Sequence, residues 1–297
     1  MIGMDKKHLP YTDLFRDDEN TVALLLITNP FSFQTLIDGM DKLVLVICKT
    51  APAELETEHW MVQDERVQVR RITPERLERW VVGGDHRSVI PWLVGGEILY
   101  DRDGYLKDLQ ARLNDWPALL REQKLLCEFS RFIRTYLQAN QDLKDGQILD
   151  AYSNILDSLH CWAHIALVEK GMHPELTVWE QMRRVNPGIY KLYEELTTSV
   201  ETVEKRVQLL LLACEFSVLT QMKSSCALIL RVLSSRDEPW TVSALQLHPQ
   251  LKGLPIDFSL LLQKLVMRGL VREIAQPNRE RGAGILKLLY TAHHAKG

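Results

Sequence analysis

Asp41 is the residue of this chain best suited, by type and position, to metal chemistry. It precedes the apolar run Leu43-Val44-Leu45-Val46-Ile47-Cys48, and Asp38 lies just upstream. Carboxylates gathered at one end of a strand are what a catalytic Mg²⁺ needs, because that ion takes hard oxygen ligands in octahedral geometry. Positions two apart on a strand share a face, so an acid at position 43 would complete a pair with Asp41. Position 43 is leucine. The run thus offers a single carboxylate, and Asp38 joins it only if the preceding loop folds back.

Two other groups of residues have chemistry to weigh. His160 and His164 are spaced at i, i+4, with Asp157 one turn earlier. On a helix that spacing shares a face and suits a metal, although packed or hydrogen-bonded histidines are the commoner outcome. Cys161 lies between them, and in an apolar helix it reads as an inert thiol, not an activated nucleophile. No Gly-x-Ser-x-Gly, P-loop or Arg-x4-His ribonuclease motif occurs. Near the C-terminus Lys264, Arg268, Arg279, Arg281 and Lys287 form a basic cluster, with Arg272 beside them. Cations on a helix and a hairpin tip are the residues that contact phosphates and base edges, so these five are the candidate nucleic-acid contacts. Formal net charge is −3, which excludes a strongly basic nucleic-acid binder as a whole and leaves only this local patch.

The elements that must position these residues change character twice along the chain. Val22–Ile27 and Leu43–Cys48 are short apolar runs bounded by breakers, the pattern of strands buried on both faces. Val67–Ile72 alternates and predicts a third strand. Thr73-Pro74 opens a helix that stops at Gly83-Gly84, and Gly95–Asp101 is a turn into a short strand. From Leu106 to Met222 the apolar residues recur at helical spacing and strand signals are missing, which predicts a helical bundle. The longest apolar stretch, Val207–Leu219, is interrupted by Glu215 and reads as a buried core helix, too short to span a bilayer. The remainder reads helix, short helix, a helix over Asp257–Arg268, then a hairpin with a basic tip. That order is the winged helix-turn-helix. The expectation is an α+β multidomain chain: an α/β sheet domain over 1–105, an all-α bundle over 106–222 and a winged-helix-like domain over 223–297. Five cysteines without a CxxC, and a start with no apolar leader, point to a cytoplasmic protein with reduced thiols.

The segment from Ile27-Thr28-Asn29-Pro30 to Asp41-Lys42-Leu43-Val44 is similar in layout to the DNA polymerase β-like nucleotidyltransferases. In them an apolar element ends in Gly-Ser, which cradles a phosphate, and an Asp-x-Asp strand follows and holds two metal ions. Over nearly the whole chain, the stretches Gly-Gly-Glu-Ile-Leu-Tyr-Asp-Arg-Asp-Gly, His-Pro-Glu-Leu-Thr-Val-Trp and Ile-Tyr-Lys-Leu-Tyr-Glu-Glu-Leu resemble the YgxA-type nucleotidyltransferase-like proteins. The resemblance implies a nucleotidyltransferase-like mixed sheet, a kanamycin-nucleotidyltransferase-like bundle and a C-terminal helix-turn-helix. It implies Asp41 as catalytic residue and metal ligand, with Thr28, Asn29 and Ser32 near the nucleotide and Mg²⁺ with a nucleoside triphosphate as cofactors. Leu43 in the place of the second acid implies a catalytically degenerate protein that binds a nucleotide or regulates. The alternatives are an active Mg²⁺-dependent transferase acting on a hydroxyl, and a DNA-binding or scaffold protein that uses its tail. A homodimer is a possible assembly, and a membrane partner is not expected.

Overall fold

The computed structural model describes residues 9–28, 39–51, 56–83, 89–175, 177–277 and 285–292. The chain forms two compact units, Met1–Pro117 and Ala118–Gly297. The first contains α1 (Leu9–Phe15), β1 (Thr21–Thr28), β2 (Lys42–Cys48), β3 (Thr57–Val62), β4 (Glu65–Ile72), α2 (Pro74–Gly83), α3 (Val89–Gly95), β5 (Glu97–Asp101) and α4 (Tyr105–Asp115). Its strands form one mixed sheet in the order β3-β4-β2-β1-β5, and only the β2–β4 pair is parallel.

The β2–β4 register sorts the side chains by face. Val44 and Val46 lie with Val67, Val69, Leu24 and Leu26 in a cluster closed by Tyr11 and Phe15 of α1. The opposite parity of β2, Leu43, Leu45 and Ile47, is equally buried, on the side where α3 packs. Both faces of the central strands are therefore covered, as their uninterrupted apolar runs required. The turn from α3 into β5 is tight. A Cβ on Gly96 would lie 2.5 Å from the Trp92 carbonyl oxygen and 2.8 Å from Leu25 Cγ. Gly96→Ala is expected to cost about 1–3 kcal/mol, read as a lower unfolding midpoint. An unchanged midpoint would show that α3 can shift.

The helix that opens at Tyr105 was expected to begin the bundle, but it falls within the first unit, whose boundary is Pro117. Leu106, Leu109 and Leu113 are buried, and Gln110 donates to the Leu93 carbonyl of α3. Asp101 caps this helix by accepting the backbone N–H groups of Leu106 and Lys107. The Gly-Gly-Glu-Ile-Leu-Tyr-Asp-Arg-Asp-Gly stretch thus has a structural duty: a tight turn, an edge strand and a helix cap.

The second unit contains α5 (Ala118–Lys144), α6 (Ile148–Glu169), α7 (Val178–Val185), α8 (Pro187–Thr198), α9 (Val203–Ser225), α10 (Ala227–Leu233), α11 (Val242–Gln246), α12 (Phe258–Met267), β6 (Val271–Pro277) and β7 (Leu286–Ala292). A turn through Gly146, with φ 75°, returns α6 along α5. Asp142 of α5 is buried and accepts from Gln138 and from Asn154 of α6, so the apolar seam carries a satisfied polar contact. α9 departs from the expected core helix. Val207, Leu210 and Cys214 are buried, but Leu209, Leu212 and Phe216 form an exposed stripe. Among the described residues no helix is long and apolar enough to cross a membrane.

The C-terminal segment belongs to the same unit as the bundle. Thr241 and Asp257 cap α11 and α12 with their side chains. β6 and β7 pair antiparallel, and Trp240 bridges to Tyr290. The order helix, short helix, helix, hairpin is present.

Candidate functional site

Asp41 lies immediately before β2, and its backbone N–H donates to the Arg66 carbonyl while its carboxylate accepts the Arg66 N–H at 2.7 Å. The carboxylate thus clasps the start of β4. The second-acid position, Leu43, is 0% exposed, in the core of the sheet. Its register partner on β4 is Gln68, and Leu45 pairs with Arg70. Arg66, Gln68 and Arg70 share the parity of Asp41 and Leu43, and His59 of β3 pairs with Gln68 on that face. Where a metal-dependent enzyme of this layout gathers carboxylates, β4 carries the exposed Arg66 beside Asp41, then the buried Gln68, and then Arg70, whose guanidinium lies 5.6 Å over the Trp92 ring. Glu65, the one acid of β4, has the opposite parity and pairs with Lys42 at 2.5 Å.

These donors do not fit a pair of divalent ions. One carboxylate, already accepting an amide hydrogen and flanked by arginine, lacks the oxygen ligands that Mg²⁺ requires. Among the described residues no group of three His, Cys, Asp or Glu is placed to hold a metal. Of the nucleotide-binding candidates, Thr28 is exposed at the end of β1, paired with Lys42. Asn29, Ser32 and Asp38 lie outside the described residues.

A second constellation lies inside the helical unit. Glu128 of α5 is 1% exposed and holds Lys124 Nζ at 3.0 Å and His164 Nδ1 at 3.1 Å, both on its Oε1. Its Oε2 is buried and, among the described residues, without a hydrogen bond, with Arg131 3.9 Å away. Burial pushes the Glu128 carboxyl up, but the Lys124 charge and the His164 hydrogen bond outweigh it and hold the group well below the usual carboxylate range. The His164 ring meets His160 at 4.7 Å, and His160 meets the edge of Trp179 at 5.7 Å. Trp179 stacks on Tyr193 at 4.0 Å. The spacing of His160 and His164 identified the helix face. The carboxylate that orients His164 comes from another helix, so spacing within α6 gave no signal for it. Asp157, the third member of the expected metal set, is exposed and apart from any such cluster. Cys161 is buried, and its thiol is pushed up to about 12 by burial and then by Glu128. It is an unreactive core residue, as are the other free cysteines, all buried.

The candidate nucleic-acid contacts divide. Lys264 and Arg268 line a cavity of about 180 Å³ together with Tyr136 and Leu137 of α5 and Glu215 of α9. Lys264 is half-buried there and Arg268 is exposed. The start of α12 is held against α5, where Arg134 pairs with Asp257 at 2.5 Å and the Ser130 hydroxyl accepts the Asp257 N–H. Lys287 is exposed on β7, while Arg279 and Arg281 lie outside the described residues.

Comparison with known proteins assigns this arrangement. Residues 4–121 match the family described as nucleotidyltransferase-like, and residues 122–221 match the YgxA-like substrate binding domain. The chain is 33% identical over 252 residues to the uncharacterized protein YgxA of Bacillus subtilis (strain 168), covering 85% of each chain. It belongs to the YgxA-like nucleotidyltransferase-like family. A solved structure, a nucleotidyltransferase-like protein from Exiguobacterium sibiricum 255-15, superposes with TM-score 0.83 at 28% identity, covering 98% of this chain and 99% of that one. Glu128, His160, His164, Trp179 and Tyr193 all fall within the family's substrate binding domain. The β2–β4 face that begins at Asp41 falls within its nucleotidyltransferase-like domain.

Proposed function

We propose that the protein binds a nucleotide on its nucleotidyltransferase-like sheet through the phosphates, without a two-metal centre, and acts as a regulator and not as a transferase. The observation that carries this reading is the end of the β2–β4 face: Asp41 alone, a buried Leu43, and Arg66 exposed beside Asp41 at matching parity. Guanidinium groups meet phosphate oxygens directly and bidentately, so they serve where a metal would otherwise bridge. Asp41 fixes the start of β4 and thereby the Arg66 backbone. In this reading Thr28, with Asn29 and Ser32 of the following segment, borders the phosphate end of the ligand.

The test is an unfolding-midpoint screen of the full chain with nucleoside triphosphates in EDTA and in Mg²⁺. The expected result is a rise with at least one of them that survives EDTA and is lost in Arg66→Ala. Asp41→Asn keeps an acceptor oxygen for the Arg66 N–H and is expected to retain binding. Loss of binding in Asp41→Asn together with a strict Mg²⁺ requirement would restore the transferase reading.

The C-terminal order of elements supports a winged-helix reading of the tail, and with it DNA contact through Lys287, Arg279 and Arg281. Lys264, half-buried, and Arg268, exposed, lie on the side of α12 toward α5. Binding of a random duplex should then fall steeply with salt, through release of counterions, and weaken in Lys287→Ala. Duplex binding indifferent to both would remove DNA from the account.

A further inference from the structure

The Glu128–His164 pair has the construction of an oriented imidazole. An ionised carboxylate only accepts hydrogen bonds, so Nδ1 of His164 must carry the hydrogen it directs at Glu128 Oε1, 3.1 Å away. In the neutral ring the lone pair then sits on Nε2, the remaining polar atom, and the buried carboxylate fixes the ring plane. Lys124 balances the Glu128 charge, so Glu128 stays ionised and the orientation holds. His164 is 18% exposed, so its ring is not wholly enclosed. Through His160 the imidazole is continuous with the stacked, half-buried Trp179 and Tyr193, which belong to two further helices. Aromatic faces next to a polar acceptor form a surface for a ring that carries hydroxyl groups.

We propose that this cluster is a binding site for a hydroxyl-bearing ring ligand, a nucleoside or a free sugar, which packs its ring against Trp179 and Tyr193 and donates a hydroxyl hydrogen to Nε2 of His164. The proposal rests on the reading of the chain as a ligand-binding protein and adds a second site, in the other unit, with its own chemistry. Glu128 is a positioning residue here. It holds the tautomer and does not touch the ligand.

The experiment is side-chain nitrogen NMR of the full chain, with ¹⁵N-labelled histidine and tryptophan, titrated with adenosine, ribose and maltose in turn. A shift of His164 Nε2 together with the Trp179 indole on adding adenosine alone identifies a nucleoside. The same pair of shifts with ribose or maltose identifies a carbohydrate, and either result supports the site. His164→Ala should weaken the binding about tenfold, the loss of one hydrogen bond. Glu128→Gln should change the ligand-free Nδ1 and Nε2 shifts and, with them, the affinity for the probe, whereas a merely structural role would change the former alone. No shift at either residue with any probe overturns the proposal, using the wild-type protein only. Shifts confined to His59, on the sheet face of the first unit, also overturn it while leaving the nucleotide reading of that unit intact.

Discussion

Glu128→Leu is expected to lower the unfolding free energy by about 3–5 kcal/mol, the cost of leaving one partner of a buried ion pair without its counter-charge. Such a loss is a large part of the ~5–15 kcal/mol that typically holds a domain folded. The Lys124 ammonium would remain beside an apolar side chain, and His164 Nδ1 would lose its acceptor. The double variant Lys124→Met/Glu128→Leu removes both charges and should recover most of the loss. Urea unfolding at neutral pH measures both. The pH dependence supplies an independent check. Glu128 is held below the usual carboxylate range in the folded protein, so the unfolded chain binds that proton more readily. Its contribution is therefore fully present above the ordinary carboxylate value and is lost as pH falls below it. Glu128→Leu should flatten that part of the acid limb. A variant as stable as the wild type at neutral pH would mean that the pair is not buried as described.

The second large effect concerns the position where this family's fold invites repair. Leu43→Asp rebuilds the spacing of a paired-acid strand in the sequence. It is nevertheless expected to unfold the first unit and not to create a metal site. Leu43 is wholly buried, with Leu45 and Ile47 at the same parity and Gln68 opposite. A carboxylate there would lose its hydration opposite Gln68, with the nearby Arg70 guanidinium already packed over the Trp92 ring, an effective penalty of several kcal/mol. Circular dichroism and the unfolding midpoint would read the collapse, which should ease in acid as the carboxyl is neutralised. A stable Leu43→Asp protein that binds Mn²⁺ tightly would show instead that position 43 opens onto a metal pocket.

The strands of the first unit were legible where their chemistry was local. Val22–Ile27 and Leu43–Cys48 are apolar without interruption because both faces of the sheet are covered. The hairpin of β3 and β4 was not legible. Its two-residue turn, Gln63-Asp64, adopts φ of 50° and 63°, with neither the Gly nor the Asn that ordinarily announces such a turn. The start of the helix over Asp257–Arg268 was legible too, and the Asp257 side chain accepts the Leu260 N–H as its cap. The helix after Tyr105 was assigned to the bundle because periodicity reports which residues are buried, not against what. For the same reason Val207–Leu219 read as a core helix although Leu209, Leu212 and Phe216 are exposed.

The sites divide along similar lines. A leucine two residues after Asp41 is visible in the sequence, and the register adds that Arg66, Gln68 and Arg70 stand opposite. His160 and His164 were visible as a pair, whereas Glu128 is 36 residues away from His164 in the chain. Lys264 and Arg268 were visible as cations on the right helix. Their direction, towards Tyr136 and Glu215, depends on how α12 docks on α5 and α9.

The central claim is that the exposed end of the sheet at Asp41 and Arg66 takes nucleotide phosphates without divalent metal. Its most direct test is the equilibrium affinity of the full chain for the nucleoside triphosphate that gives the largest midpoint rise, measured by titration calorimetry in EDTA and in Mg²⁺. The account predicts dissociation constants within about threefold of each other, a difference well under 1 kcal/mol, and binding that Arg66→Ala abolishes. Binding seen only with Mg²⁺ and eliminated by Asp41→Asn would contradict it.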